Sequence, residues 1–345
     1  MQSRAEHHGD ALLFRYLLEG TIDGALDEWS FARLDRRARA VAAWLQDRGY
    51  GGQRALVVFP HGLEFIEAFF GCLYAGVTPI PAYPPDPSHL DYTVVRLDRI
   101  ACDAEAALIL SVDSLVEQAE KLRLVENAGF VGSLPWVSVE QISSARAKDW
   151  RDPNAKPEDL AFLQYTSGST SFPRGVMLSH GNVTHNLHKL RLQMGHDPEH
   201  LAERDGEFIF SWLPLFHDLG LIGVLLHALY VAGTGTFMSP LVFLKQPFLW
   251  LRATSRLRAY TAGGPNFCFD MAVRKVSEAQ RAELDLSHLV NAFSGAEPVR
   301  WKTFCRFADY FAPCGFRPEA FFHAYGLAET CVFLSGGHSK LDEPT

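Results

Sequence analysis

The sequence is poor in cysteine, with six among 345 residues and no CxxC pair. Cys72, Cys102, Cys268, Cys305, Cys314 and Cys331 are widely scattered, which argues against a disulfide scaffold or a Cys/His zinc site. Most lie in apolar surroundings and are expected to be buried free thiols in a reducing compartment. A long hydrophobic run is also missing. The most apolar stretch, residues 219–233, counts 15 residues and contains His227, short of the roughly 20 that span a bilayer. It is expected to be a buried helix. The first ten residues are charged and polar, without a secretory leader. A cytoplasmic protein without a transmembrane segment is therefore expected. Positive charge is not in excess either: 32 basic against 40 acidic residues leave a net charge of -8, which argues against nucleic acid as the main partner. Two catalytic signatures are absent as well, the Walker pattern GxxxxGK[ST] and the GxSxG nucleophile elbow.

What is present is an ordinary globular composition, 48% hydrophobic and 21% charged, on a chain long enough for one large domain or two closely packed subdomains. Apolar residues at positions 31, 34, 38, 41, 42 and 45 recur at helical spacing, with arginines on the other face. A buried strand is expected at 54–59, a helix at 62–76 and a short strand at 77–80. An irregular proline-rich connection is expected at 81–87. Helix 94–102, strand 106–111 and helix 114–128 continue the alternation. The polar stretch 150–159 marks a candidate boundary before a strand at 160–165.

The alternation then resumes with helix 181–194, strand 207–212, helix 219–231, strand 235–238 and helix 248–255. A segment near 258–261 leads into a long helix from 267 to about 283. Strand 289–293, helix 299–311 and strand 320–325 follow. Near-continuous apolar strands alternating with helices predict an α/β protein: two stacked subdomains, approximately 1–160 and 161–345 with an interleaved boundary, whose mostly parallel sheets are covered by helices.

Four segments carry candidate chemistry. The first is the loop 165–175, between two apolar strand patterns. Gly168 and Gly175 permit close approach, Thr166, Ser167, Ser169 and Thr170 offer hydroxyl donors, and Arg174 offers a permanent charge. Those residue types suit phosphate oxygens, but they also suit a plain surface turn. The second is 212–218, where His217 stands after a strand at the mouth of a helix. It can donate to a carboxylate or acyl phosphate, or simply pack, and Asp218 can cap the helix. The third is 294–299, a strand-to-helix turn in which Gly295 and Ala296 expose flat backbone. Pro298 suits a first helical turn. The fourth is 324–330, where Tyr325 can stack on a ring. Glu329 can reach a bridging cation or serve as a solvated capping residue.

Together and in this order the four segments resemble the adenylate-forming superfamily: acyl-CoA synthetases, luciferases and peptide-synthetase adenylation domains. The family's phosphate loop has a second glycine where this chain has Ser171, and lysine at Arg174. Its frequent threonine before the acidic residue is Ala328 here. The resemblance implies that Thr166, Ser167, Gly168, Ser169, Thr170 and Arg174 hold the triphosphate of ATP. It implies that His217 lies beside the carboxylate under activation. It further implies that Gly295, Ala296, Glu297, Tyr325 and Gly326 line adenine, and that Glu329 acts in catalysis as a Mg²⁺ ligand.

The segments 62–66, 68–76, 81–85, 217–222 and 263–267 are similar to fatty acyl-AMP ligases in particular. By that resemblance Gly264, Pro265, Asn266 and Phe267 contact the acyl chain. Phe267, Phe269 and Met271 are candidates for an apolar tunnel or for plain core. The implied reaction converts a fatty acid and ATP to acyl-AMP and pyrophosphate. The acyl group then passes to the phosphopantetheine arm of an acyl carrier protein in polyketide or lipopeptide assembly. An acyl-CoA synthetase, or an inactive nucleotide- or acyl-binding fragment, are the alternatives. The family's ribose-holding aspartate and its catalytic lysine, on a small C-terminal domain, are expected beyond Thr345. The chain is therefore expected to be a partial N-terminal domain, weakly active or inactive beside its parent.

Overall fold

The computed structural model describes residues 1–86, 88–122, 129–166, 173–197 and 206–338. Among them run the strands β1 (Leu12–Leu17), β2 (Leu26–Ser30), β3 (Arg54–Val58), β4 (Thr78–Ala82), β5 (Leu108–Ser111), β6 (Trp136–Ser138) and β7 (Leu160–Thr166). They are followed by β8 (Arg174–Ser179), β9 (Ile209–Ser211), β10 (Gly235–Met238), β11 (Thr261–Gly263), β12 (Asn291–Ser294), β13 (Phe321–Tyr325) and β14 (Ser335–His338). The chain is an α/β protein with mostly parallel sheets flanked by helices, and it divides into two compact units. One comprises Met1–Ala11 and Ser30–Val183, the other Leu12–Trp29 and Thr184–Thr345.

In the first unit β4, β3, β5 and β6 form a parallel sheet in that order. The helix Phe31–Asp47 begins where the Ser30 hydroxyl accepts from the Arg33 amide, and it buries Phe31, Leu34, Ala38, Val41, Ala42 and Leu45. This is the stripe that the spacing predicts. Strand β4 runs to Ala82 and contains Pro79 and Pro81, so the irregular segment expected from Pro81 starts later. Proline is tolerated there because β4 is an edge strand and one side of its ladder is unused. Behind the sheet, Arg37 pairs with Glu67 at 2.5 Å and donates to the carbonyls of Val139 and Ile142. Burial pushes the Glu67 carboxyl up, and Arg37 opposes the shift.

The second unit is built on an eight-stranded sheet in the order β14-β13-β12-β11-β9-β10-β1-β2. From β13 to β1 the strands pair in parallel, and β14 adds an antiparallel edge. Strand β1 is not evident from the sequence, because Arg15 interrupts its apolar run. The structure pairs Arg15 with Glu28 and Glu207. One side of the core is aromatic: Phe269 is 1% exposed and meets Trp250, Phe304, Phe307 and Phe321 edge-on. Phe269 is therefore core and lines no tunnel.

Several helices differ from expectation. The helix opening at Asn266 stops at Lys275, because Ser277 and Gln280 form a capping box that starts a new turn at Glu278. The segment after Asp218 is a π-helix over Leu219–Leu226 before α-helical geometry returns at His227–Val231. Its wider turns open where Gly220 lies so close to the Pro214 carbonyl that any side chain would collide with it. The helix expected from Val299 begins at Trp301, so Pro298 lies before it. All six cysteines are free; Cys72, Cys268, Cys314 and Cys331 are buried, whereas Cys102 is exposed. Among the described residues no helix is long and apolar enough to cross a membrane.

Candidate active site

In open parallel sheets, ligands bind beyond the carboxyl ends of the strands. Four neighbouring strands of the second unit, β9, β11, β12 and β13, end in the turns that contain the sequence candidates. The structure thus brings His217, the 264–267 turn, the 295–297 turn and Tyr325 to Glu329 to one edge of one sheet.

Each turn is held by side chains. After β9, Asp218 caps the π-helix by accepting from the Leu219 amide at 2.7 Å, and it lies 2.7 Å from His217 Nδ1. The carboxylate is acceptor-only, so Nδ1 carries its proton toward Asp218, and Nε2 is the ring atom left without a partner among the described residues. The hydrogen bond to Asp218 raises the His217 pKa above the ordinary histidine value, against the opposing effect of burial. The His217 side chain is 53% exposed, compared with 14% for Asp218. Asp218 positions the ring and His217 presents it.

After β11 and β12 the two turns are laced together. The Asn266 side chain accepts from the Arg300 amide at 2.9 Å and donates to Thr303 at 3.2 Å. In return, Glu297 accepts from the Phe267 amide at 2.6 Å, at the opening turn of the helix Asn266–Lys275. That position suits a carboxylate, since the unpaired amides of a helix N-terminus favour negative charge. Asn266 is 5% exposed and Phe267 36%, so of these two Phe267 is the one presented to a ligand. Ala296 has a φ of 65°, a left-handed conformation uncommon outside glycine.

After β13, Tyr325 is 62% exposed, as a ring available for stacking must be. Gly326 lies against the Val332 carbonyl, and Glu329 is exposed on the short turn Ala328–Thr330. Cys331 and Val332 follow with φ of 59° and 80°. The strained turn is clamped by buried Asn186, whose amide donates to the carbonyls of Thr330 and Phe333, each at 2.8 Å. Nothing in the local sequence marks Asn186, a polar residue in mid-helix.

The phosphate-loop candidates belong to the first unit. There β7 and β8 form an antiparallel hairpin with Tyr165 opposite Gly175 and Thr166 opposite Arg174. Ser167, Gly168, Ser169 and Thr170 lie outside the described residues. The base of the hairpin is fixed by packing. Tyr165 belongs to the buried core and donates its hydroxyl to Asp103 at 2.5 Å, and a β-carbon at Gly175 would sit 2.8 Å from its ring. Thr166 and exposed Arg174 thus stand side by side at the hairpin mouth.

Fold and strand-end turns together define the N-terminal fold of adenylate-forming enzymes. The family described as AMP-binding enzyme matches residues 1–345, and the chain belongs to it. It is 39% identical to the medium-chain-fatty-acid–[acyl-carrier-protein] ligase JamA of Moorena producens, across 97% of this chain and 55% of that protein. It is 36% identical to the long-chain-fatty-acid–AMP ligase FadD32 of Mycolicibacterium smegmatis, across 96% of this chain and 52% of the relative. The solved fatty acyl-adenylate ligase of Legionella pneumophila, in complex with acyl adenylate and pyrophosphate, superposes with a TM-score of 0.87 at 37% identity. That match covers 98% of this chain and 56% of the other. The chain spans little more than half the length of these relatives.

Proposed function

We propose that the protein to which this chain belongs activates a fatty acid with ATP, forming acyl-AMP and pyrophosphate, and delivers the acyl group to an acyl carrier protein. The observation that carries this reading is the edge formed by β9, β11, β12 and β13. It presents a positioned imidazole at His217, an exposed aromatic ring at Tyr325 and an exposed carboxylate at Glu329. A carboxylate oxygen attacks the α-phosphorus, the new oxygen–phosphorus bond forms, and the bond to the pyrophosphate oxygen breaks. Positioning and electrostatics supply the catalysis, and no protein nucleophile is needed. His217, whose imidazolium form Asp218 favours, neutralises the attacking carboxylate and the developing acyl phosphate. Tyr325 stacks on adenine, with the Gly295, Ala296 and Gly326 backbone around the base. Glu297 holds the turn on which the base rests. Thr166, Arg174 and the loop between them take the phosphates.

Mg²⁺ fits Glu329 as a single hard oxygen ligand. Among the described residues no group of three His, Cys, Asp or Glu side chains is arranged to hold a metal. A magnesium ion bound by one carboxylate and the nucleotide's own phosphates needs no such group. When bound, it supplies charge neutralisation on the phosphates. Gly264 and Pro265 border the acyl chain, which meets the exposed face of Phe267. The relatives named as acyl-carrier-protein and AMP ligases support the acceptor class, and a cytoplasmic location accords with such chemistry.

The test is mass-resolved detection of acyl-AMP from decanoate, ATP and Mg²⁺ by the protein at its full cellular length, with nucleotide binding measured in parallel. Acyl-AMP with stoichiometric pyrophosphate is the expected result. Acyl-CoA made from free coenzyme A as efficiently as acyl-AMP would overturn the acyl-AMP ligase branch. Nucleotide binding without turnover would reduce the protein to a binding module.

A further inference from the structure

Buried side-chain polar atoms are nearly always hydrogen-bonded, so an exception at a strand end calls for a partner from outside the protein. Two such atoms flank the same glycine at the candidate site. The indole nitrogen of Trp212 and the hydroxyl of Ser294 are both buried, and neither has a hydrogen-bond partner among the described residues. Trp212 is 4% exposed and Ser294 0%.

The sheet register shows how they are related. On β11, Ala262 pairs with Phe210 of β9, and Gly263 pairs with Phe293 of β12. Extended two residues past the first pair and one past the second, the register sets Gly264 between Trp212 and Ser294, and its amide donates to the Phe293 carbonyl at 3.0 Å. In-register neighbours point to the same face of a sheet. A β-carbon at Gly264 would lie 2.7 Å from Trp212 Cζ2 and 3.4 Å from Cε2. The edge of the indole that includes Cε2, to which its nitrogen is bonded, is therefore the edge that leans over Gly264. Trp212 is fixed in that pose by stacking on Phe243, with ring centroids 3.9 Å apart and an interplanar angle of 11°. Phe267, itself exposed, meets Trp212 at a centroid distance of 5.8 Å. The row thus lies beneath an aromatic wall that reaches solvent, one residue before the Gly295 turn.

We infer that Trp212 and Ser294 are specificity residues for an acyl substrate bearing a hydroxyl or oxo oxygen on one of the first carbons beyond the carboxylate. The inference rests on the acid-activating reading above. An indole N–H only donates, so its partner must accept, and the serine hydroxyl both donates and accepts. A hydroxyl or carbonyl oxygen satisfies both residues. An ammonium group would meet a donor, which disfavours amino acids. A plain methylene would leave both buried atoms unpaired, the situation in which a site rejects the analogue lacking the polar group.

The test compares decanoate, 3-hydroxydecanoate and 3-oxodecanoate by ATP–pyrophosphate exchange in the full-length protein, wild type and with Trp212→Phe or Ser294→Ala. Phenylalanine retains the stack on Phe243, and alanine removes only an unpaired hydroxyl, so both variants are expected to fold. Thermal unfolding of each variant checks this directly. The expected result is at least a tenfold preference in kcat/KM for one oxygenated acid. That preference should collapse to about threefold or less in each variant, mostly through loss on the oxygenated substrate. Equal or better use of decanoate by the wild type overturns the inference while leaving the ligase reading intact. A preference that survives both substitutions in folded protein also overturns it. Exchange with none of the three acids overturns the ligase reading itself, and this inference with it.

Discussion

The hairpin of the first unit and the strand-end turns of the second are held by different forces. At the hairpin, Tyr165 packs into the core and against Gly175, and its hydroxyl is anchored on Asp103. At the turns, polar side chains do the holding: Asn186, Asp218, Asn266 and Glu297 all bond to backbone amides or carbonyls. A motif residue in the second unit is thus as often a brace as a contact. The lesson is to ask first where a polar group's hydrogen bonds go. Those already bonded to a neighbouring turn position the site, and those exposed or unpaired meet the substrate.

The comparison is broken most sharply at His217, which is exposed and presented rather than bracing. His217→Ala is expected to lower acyl-AMP formation by about 100-fold, the scale for losing one charge-stabilising donor, with the unfolding midpoint unchanged. A large loss of stability would instead place His217 among the braces. Asn186→Leu removes a brace and strands two carbonyls, those of Thr330 and Phe333. A stability loss of about 2 kcal/mol is expected by urea denaturation, with activity falling because Tyr325 and Glu329 lose their frame. Unchanged stability would show that the turn holds without its clamp.

At the hairpin, Gly175→Ala forces Tyr165 to shift and is expected to cost about 1–2 kcal/mol, in the range for overpacking. If the hairpin is held by packing, Tyr165→Phe costs less than Gly175→Ala, and a reversed order breaks the contrast. Glu297 gives the smallest effect. Glu297→Gln retains an acceptor for the Phe267 amide and is expected to alter stability and nucleotide affinity by under about 0.5 kcal/mol, while Glu297→Ala costs about 1 kcal/mol. A large loss in Glu297→Gln alone would show that the carboxylate acts on the nucleotide.

Polar bracing also leaves a pH signature in the second unit. His196 and His227 are fully buried with Nδ1 of one and Nε2 of the other 3.3 Å apart, and Thr261 and Asn291 hydrogen-bond to His196. Burial lowers both pKa values, that of His227 to about 3 against an opposing backbone hydrogen bond at Gly223, and the charges of His227 and His338 lower that of His196 further. The unfolded chain protonates these rings near the ordinary value of about 6.5 while the folded chain does not. The unfolded state therefore binds more protons below that pH. Stability is retained above it and lost as pH falls from about 6.5 toward the folded value, by up to about 1.4 kcal/mol per pH unit for each ring. Denaturation midpoints measured between pH 7 and 5 should fall more steeply in the wild type than in His227→Asn. Parallel slopes would show that the pair does not titrate on unfolding.

By itself the sequence determined the alternation of apolar strands and helices, and with it the α/β class. It also located the four strand-end segments, because these signals are local: a period of 3.6 or 2, and a glycine, serine or proline where the chain must turn. Even so, Arg15 hid β1, since a charged residue breaks the local pattern and its partners Glu28 and Glu207 arrive only with the folded sheet. Only the tertiary structure decided which polar residues are spent. Asn266 is spent on Arg300, Asn186 on Thr330 and Glu297 on Phe267, while Trp212 and Ser294 stay unpaired across Gly264. These pairings depend on strand register and on contacts between residues far apart in the chain, and a buried donor or acceptor acquires its role only when register brings its partner within about 3 Å.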